Sequence, residues 1–200
     1  VAEEIKKCGV SIVSISLDGP QQIHDEFRGL IGAFKLAKEA ILSLEGVGLP
    51  VQINTTISKY NVHRLEGVKE TVMSFKPKYW DIFILIPTGR ATKEMMISPE
   101  EAEKVMRTVA KWRLEGLNVR MVCAPYFVRI VNEEGIKPHP PDKEYGRRSF
   151  GGARGCMAGN GYAFIAYNGI VYPCGFLPIP AGNIRQKRFG EIYENSSVFR

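Results

Sequence analysis

Two thiols that a short hairpin can bring together are the residues of this chain best suited to metal chemistry. Cys156 and Cys174 lie in the segment 155–183, GCMAGNGYAFIAYNGIVYPCGFLPIPAGN. Twelve residues separate Cys156 from Gly169, and four more separate Gly169 from Cys174. Asn168-Gly169 between two β-rich runs predicts a two-residue type I′ turn, which requires φ > 0 at both positions. That turn pairs Tyr167 with Ile170 and sets Cys174 opposite Ala163. Gly159 and Gly161 then allow the preceding segment to curl back, bringing the Cys156 sulfur toward that of Cys174. The spacing reads as half of a metal-cluster site, with a disulfide or a partial zinc site as the alternatives. Zinc sites usually show closely spaced cysteine pairs, and this chain has none.

A second group of polar residues ends otherwise apolar runs. VSIVSIS (10–16), PVQINTTI (50–57), WDIFILIP (80–87) and NVRMVCAP (118–125) are β-branched and nearly continuously apolar, as expected of parallel strands covered on both faces. Their C-terminal ends carry Ser16 and Asp18, Asn54 and Thr56, and Thr88 and Arg90, which together suggest a ligand-facing rim. The intervening segments have helical periodicity: Phe34, Ala37, Ala40, Ile41 and Leu44, then 62–75, then Ala102, Val105, Met106 and Val109. The last begins with a capping signal, Ser98-Pro99-x-Glu101. Repeated β-α-β order implies right-handed crossovers and an α/β fold with a parallel sheet, open or rolled into a partial barrel.

The expected organisation is a barrel segment over 1–131, with about four β/α units, a Pro-, Gly- and charge-rich linker over 132–154, and a small hairpin domain from 155 to 200 ending in a short helix near Phe189–Asn195. The chain enters in helical periodicity at Val-Ala-Glu-Glu-Ile and ends without a stop signal, so it reads as a fragment of a larger enzyme. There is no run of about 18 apolar residues and no basic-then-apolar leader, so a cytoplasmic, non-membrane protein is expected. Lys and Arg number 27 against 21 Asp and Glu, a net charge of +6. That balance suits anionic small molecules or nucleic acid, yet it is spread along the chain as on an ordinary solvated surface. Four cysteines without framework spacing point away from a secreted disulfide scaffold and toward metal or redox chemistry.

The segments SISLDGPQQIHDEFRG (14–29) and VQINTTISKYN (51–61), with Cys156-x12-Gly169-x4-Cys174, resemble the radical S-adenosylmethionine enzymes that carry a C-terminal SPASM or twitch auxiliary iron–sulfur domain. IPTGRA (86–91), CAPYFVRI (123–130) and PCGFLPIPAGNIR (173–185) are more similar to one branch, the haem-maturation enzymes that modify tetrapyrrole side chains, its haem synthases and sirohaem-processing relatives included. The resemblance implies the C-terminal part of a partial (β/α)6 TIM-like barrel followed by the start of a SPASM/twitch hairpin domain. It implies S-adenosyl-L-methionine and [4Fe-4S] clusters as cofactors, an electron donor such as ferredoxin or flavodoxin, and cleavage of the cofactor to a 5′-deoxyadenosyl radical. The substrate would be an anionic tetrapyrrole, with a ribosomal peptide, as in peptide-maturing relatives, as the alternative.

Carried over residue by residue, the resemblance gives Ser16, Asp18 and Arg28 contacts to the methionyl carboxylate and ribose, Asn54 and Thr56 further cofactor contacts, and Arg90 an anion-binding role beside the adenine. It gives Cys156 and Cys174 as two ligands of an auxiliary cluster, the other ligands normally following downstream. Each position also has a plain structural alternative. Ser16 and Asp18 would form a strand-to-loop turn, Asn54 and Thr56 would close a strand, and His24 would bond locally in a loop. Cys123 would be an extra ligand or a buried thiol, and Cys8 a small core residue. Arg90, Arg120, Arg129, Arg147, Arg148 and Arg154 are available for propionates, and Tyr126, Phe127, Tyr162 and Phe164 for packing on a flat ring. The family's CxxxCxxC motif is absent from this chain, so catalysis is expected of a longer parent only. A reading from another class, a non-catalytic basic module that docks nucleic acid or a partner protein, lacks the clustered basic stripe it would need.

Overall fold

The computed structural model describes residues 1–136 and 156–199. The chain divides into two compact units, Val1–Ala153 and Arg154–Arg200.

The first unit runs α1 (Ala2–Lys7), β1 (Val13–Ser16), α2 (Gln21–Arg28), α3 (Ala33–Gly46), β2 (Val51–Ile57), α4 (Leu65–Met73), β3 (Tyr79–Ile84), α5 (Pro99–Leu114), β4 (Val119–Val122) and α6 (Phe127–Glu133). The four strands form a parallel sheet in the order β1-β2-β3-β4. This is the α/β architecture that the alternation of strand-like and helical segments predicts. The strands are shorter than the apolar runs. The β1–β2 register starts at Val13 and Val51; Pro50 before it accepts the Val13 N–H through its carbonyl but has no N–H to donate in return. β4 stops where Cys123 turns to φ +56.

The register divides the strand residues between two unlike faces. One face carries Val51, Ile53, Ile57, Trp80, Ile82, Val119 and Met121, packed in one core with Ile41 and Leu44 of α3, Val68 and Val72 of α4, and Val105, Val109 and Trp112 of α5. Trp80 and Trp112 stack at 5.2 Å, and the Trp80 indole N–H donates to Thr55 Oγ1 at 2.8 Å. Side chains alternate along a strand, so the opposite face carries Ser14, Ser16, Gln52, Asn54, Thr56, Asp81 and Arg120. It is a polar face.

α5 begins as expected, with the Ser98–Glu101 capping box formed in both directions. α3 is capped from a distance instead: Asp25 on α2 accepts the N–H groups of Gly32 (2.8 Å) and Phe34 (2.7 Å). α2 occupies a stretch expected to be loop. On the far side of the unit, Arg107 and Arg129 join Glu103, Glu133 and Glu134 in an exposed network between α5 and α6. Arg129 is therefore committed to ion pairs. α6 also runs through the expected start of the linker at 132, and the rest of that linker lies outside the described residues. Cys8 is exposed rather than a core residue.

In the second unit, β5 (Phe164–Ile165), β6 (Ile170–Tyr172) and β7 (Gly182–Asn183) form an antiparallel sheet, followed by α7 (Phe189–Asn195). The hairpin register corrects the expected turn. Phe164 pairs with Tyr172 and Ile165 with Val171, so Ala166 faces Ile170 across a three-residue loop. The Gly169 N–H donates to the Ala166 carbonyl at 2.8 Å, and only Gly169 of the Asn-Gly pair has positive φ, +85. A turn closed by one left-handed glycine replaces type I′. A Cβ on Gly169 would meet Asn183 Oδ1 at 2.7 Å. Val171 and Ile192 are the buried pair of this unit, and Ile192 sits so close on Gly182 that a Cβ there would meet it at 3.0 Å.

Two predictions follow from the first unit. The Arg113 guanidinium is buried, its Nε and Nη2 have no hydrogen-bond partner among the described residues, and burial pulls its pKa below the ordinary value. Arg113→Met keeps the packing on Phe127 and removes an uncompensated buried charge, so it raises the thermal midpoint, by about 1 kcal/mol in free energy. The Gly32 and Phe34 amides hold the Asp25 carboxyl below its ordinary pKa of 3.8. A depressed folded-state pKa stabilises above 3.8 and loses that contribution as the pH falls through the depressed value. The stability difference between wild type and Asp25→Ala, followed by denaturant titration across pH, therefore shrinks in acid.

Candidate functional site

The loop after β1 is organised around a carboxylate with no solvent exposure, that of Asp18. Its Oδ2 accepts Arg28 Nε at 2.7 Å, from the last turn of α2, and its Oδ1 accepts the Thr56 backbone N–H at 2.9 Å, from β2. The Asp18 N–H donates to Nδ1 of buried His24 at 3.0 Å, which requires the neutral imidazole protonated on Nε2. Nδ1 also lies 3.1 Å from Oδ2, but with its lone pair already accepting, that contact contains no hydrogen bond. Asn61, fully buried, donates through Nδ2 to the carbonyls of Asp18 and Thr56, both at 2.9 Å, while its Oδ1 accepts the Ser58 N–H. β1, α2, β2 and the loop after β2 are thus fastened at one point.

This geometry assigns different parts to residues that the sequence grouped together. Asp18 has no exposed oxygen to offer a ribose, so it acts as a brace. Arg28 is about one-third exposed (32%). With Nε committed to Asp18, its two Nη groups form the remaining edge, and they make no hydrogen bond to a described residue. A guanidinium presented by a fixed Nε is a ready fork for a carboxylate. His24 lies on a helix and not in a loop, and its bond is local, to the Asp18 amide.

Ser16, Asn54, Asp81 and Arg120 stand side by side across the four strands. Ser16 is exposed, while Asn54 and Thr56 are half-buried beside it. Arg90 is exposed in the turn after β3. Arg120, expected to be available for a propionate, is buried and paired with Asp81 (Nε to Oδ1, 2.7 Å), and its guanidinium lies 4.7 Å over the Tyr79 ring. Phe127 is a core residue, whereas Tyr126, Tyr162 and Phe164 are exposed. Arg147, Arg148 and Arg154 lie outside the described residues. Cys123, at the C-terminal end of β4, is exposed and has φ +56, contrary to a buried structural thiol.

In the second unit, Cys156 is exposed and Cys174 half-buried, and neither is in a disulfide. Each sulfur accepts a backbone N–H from two residues on, Ala158 to Cys156 at 3.5 Å and Phe176 to Cys174 at 3.4 Å. N–H···S bonds of this kind stabilise thiolates and tune iron–sulfur sites. The Gly159 N–H donates to the Pro173 carbonyl at 3.1 Å, tying the Cys156 segment to the residue before Cys174. The Tyr193 hydroxyl on α7 accepts the Gly161 N–H and donates to the Gly159 carbonyl. The two thiols and their amide donors fit half of a cluster site. No group of three or more His, Cys, Asp or Glu suited to a metal ion occurs among the described residues.

A family profile for the SPASM iron–sulfur cluster-binding domain matches residues 156–200. Over the whole chain, the sequence is 38% identical to an AdoMet-dependent heme synthase of Oleidesulfovibrio alaskensis and 34% identical to another of Methanosarcina barkeri, spanning 52% and 58% of those proteins. The C-terminal residues 156–200 thus match a SPASM iron–sulfur cluster-binding domain, and the chain as a whole is similar to AdoMet-dependent heme synthases. The solved structure of native anSMEcpe with bound AdoMet matches the fold of this chain with a TM-score of 0.68 at 17% identity, covering 99% of this chain and 54% of that one. The chain therefore spans about half the length of the curated relatives it matches. No helix among its described residues is long and apolar enough to cross a membrane.

The Arg28–Asp18 brace gives a direct test. Asp18→Asn keeps an acceptor for Thr56 N–H but turns an amide NH2, or a neutral oxygen, toward Arg28 Nε. Losing a charged hydrogen bond whose cation can still reach solvent costs about 2 kcal/mol, read as a lower denaturation midpoint. Arg28→Lys leaves Asp18 a cation but no fork.

Proposed function

We propose that this chain is part of a radical S-adenosylmethionine enzyme that modifies the side chains of an anionic tetrapyrrole in haem biosynthesis, for example by oxidative decarboxylation of propionates. The observation that carries this reading is the similarity to AdoMet-dependent heme synthases across the full chain, at 34–38% identity. The residues present suit it. The Nη edge of Arg28, aimed by buried Asp18, binds the methionyl carboxylate. Ser16, Asn54 and Thr56 offer polar groups to the rest of the cofactor from the polar face of the sheet. Arg90 supplies an exposed positive charge at the same strand ends, and Tyr126 an exposed ring. Cys156 and Cys174 hold one side of an auxiliary [4Fe-4S] cluster. When bound, the cofactor supplies a hydrogen-abstracting radical on one-electron reduction, with the electron drawn from a carrier such as ferredoxin or flavodoxin. This chain contributes binding and orientation.

The test is anaerobic reconstitution of the full-length protein with iron and sulfide, followed by reduction with dithionite. Formation of 5′-deoxyadenosine, with loss of carbon dioxide from an iron-coproporphyrin substrate, is expected. Absence of 5′-deoxyadenosine overturns the class, and turnover of a peptide in place of a tetrapyrrole overturns the substrate. Cys156→Ser or Cys174→Ser is expected to lower the iron content by about four atoms per chain, one cluster. Cys8→Ser is expected to leave it unchanged.

A further inference from the structure

The polar face of the sheet contains a chain of side-chain hydrogen bonds whose direction is set by chemistry. It starts at Asp81, which accepts Arg120 Nε at 2.7 Å. Arg120 Nη2 donates to Gln52 Oε1 at 3.4 Å, and Gln52 Nε2 donates to Asn54 Oδ1 at 2.6 Å. An arginine has donors only, so the Gln52 atom facing it must be the oxygen. Gln52 then turns its NH2 toward Asn54, and Asn54 must answer with its own oxygen. The Asn54 Nδ2 group is left pointing away from the relay. Asp81, Gln52 and Arg120 are each more than nine-tenths buried, whereas Asn54 is half-buried and next to exposed Ser16 in the register. The buried charge pair thus fixes which end of a partly exposed amide is presented.

We propose that Gln52, held by the Asp81–Arg120 pair, is a positioning residue that locks Asn54 as a hydrogen-bond donor toward an acceptor atom of bound S-adenosylmethionine. The proposal rests on the radical S-adenosylmethionine reading and deepens it: the ligand atom meeting Asn54 is an oxygen or an unprotonated nitrogen, never an N–H or O–H donor. Gln52→Glu is close to isosteric and still accepts from Arg120, but a carboxylate cannot donate to Asn54 Oδ1. Asn54 must then flip and present its oxygen to the ligand. Gln52→Met removes both bonds and leaves Asn54 free to turn either way.

The experiment measures equilibrium binding of S-adenosylmethionine to the full-length, anaerobically reconstituted protein, independently of turnover. Gln52→Glu is expected to weaken binding about tenfold, the loss of one well-aligned hydrogen bond, and Gln52→Met less. In the Asn54→Ala background the Gln52→Glu effect should vanish, since Gln52 acts through Asn54. An undiminished Gln52→Glu effect in that background, a larger effect of Met than of Glu, or wild-type affinity in Gln52→Glu overturns the proposal. If wild type binds and Gln52→Glu changes only the KM for the tetrapyrrole, the donor faces substrate and the cofactor assignment is overturned. If wild type itself binds no S-adenosylmethionine, the functional reading falls with it.

Discussion

The structure of the first unit depends on pairing the Asp18 carboxylate, which has no solvent exposure. An unpaired buried carboxylate costs several kcal/mol, so each of its oxygens must find a donor. Arg28 and the Thr56 amide provide them, and His24 and Asn61 satisfy the backbone groups on either side. The consequences spread outward from that requirement. α2 must dock so that its last turn reaches β1, and the loop after β2 must close over the same point. The Nη edge of Arg28 is oriented as a by-product of pairing Asp18, so one contact both fastens α2 and fixes which part of the guanidinium stays accessible.

The two faces of the parallel sheet follow different physics. On the helix-covered face, shape and apolar area decide, and Trp80 and Trp112 occupy its centre. On the other face, buried charges and amides decide, and hydrogen-bond direction propagates from a donor-only arginine to an amide two side chains away. Substitutions on the first face act through packing volume. Those on the second act through the identity of donors and acceptors, and a near-isosteric change is enough to reverse a bond.

The second unit is too small for a large core. Its order comes from Val171 and Ile192, from the close approach of α7 to Gly182, and from backbone bonds that run to the cysteine segments. That economy is consistent with a domain in which a cluster supplies part of the cross-linking. The Cys156 and Cys174 sulfurs already receive amide donors.

Local signals carried much of the fold. Periodicity placed α3 and α5, the capping box placed the start of α5, and the short α7 matched the expected Phe189–Asn195. Each rests on residues within a few positions of one another, so sequence spacing determines it. α2 escaped notice because it lacks a side-chain N-cap and has only Ile23 and Phe27 as an apolar stripe. Asn168-Gly169 specified a turn but not its length, because the register also answers to the pairing of β6 with β7. The polarity of one sheet face was visible in Gln52, Asn54, Asp81 and Arg120, yet nothing local shows that Arg120 faces Asp81, 39 residues away, or that Asp18 reaches Thr56, 38 residues away. By itself the sequence determined the order of elements, the residue types at the strand ends and the two cysteines. Tertiary structure decided which polar groups neutralise one another and which are left to meet a ligand, because hydrogen bonding and burial depend on distances that only the folded chain sets.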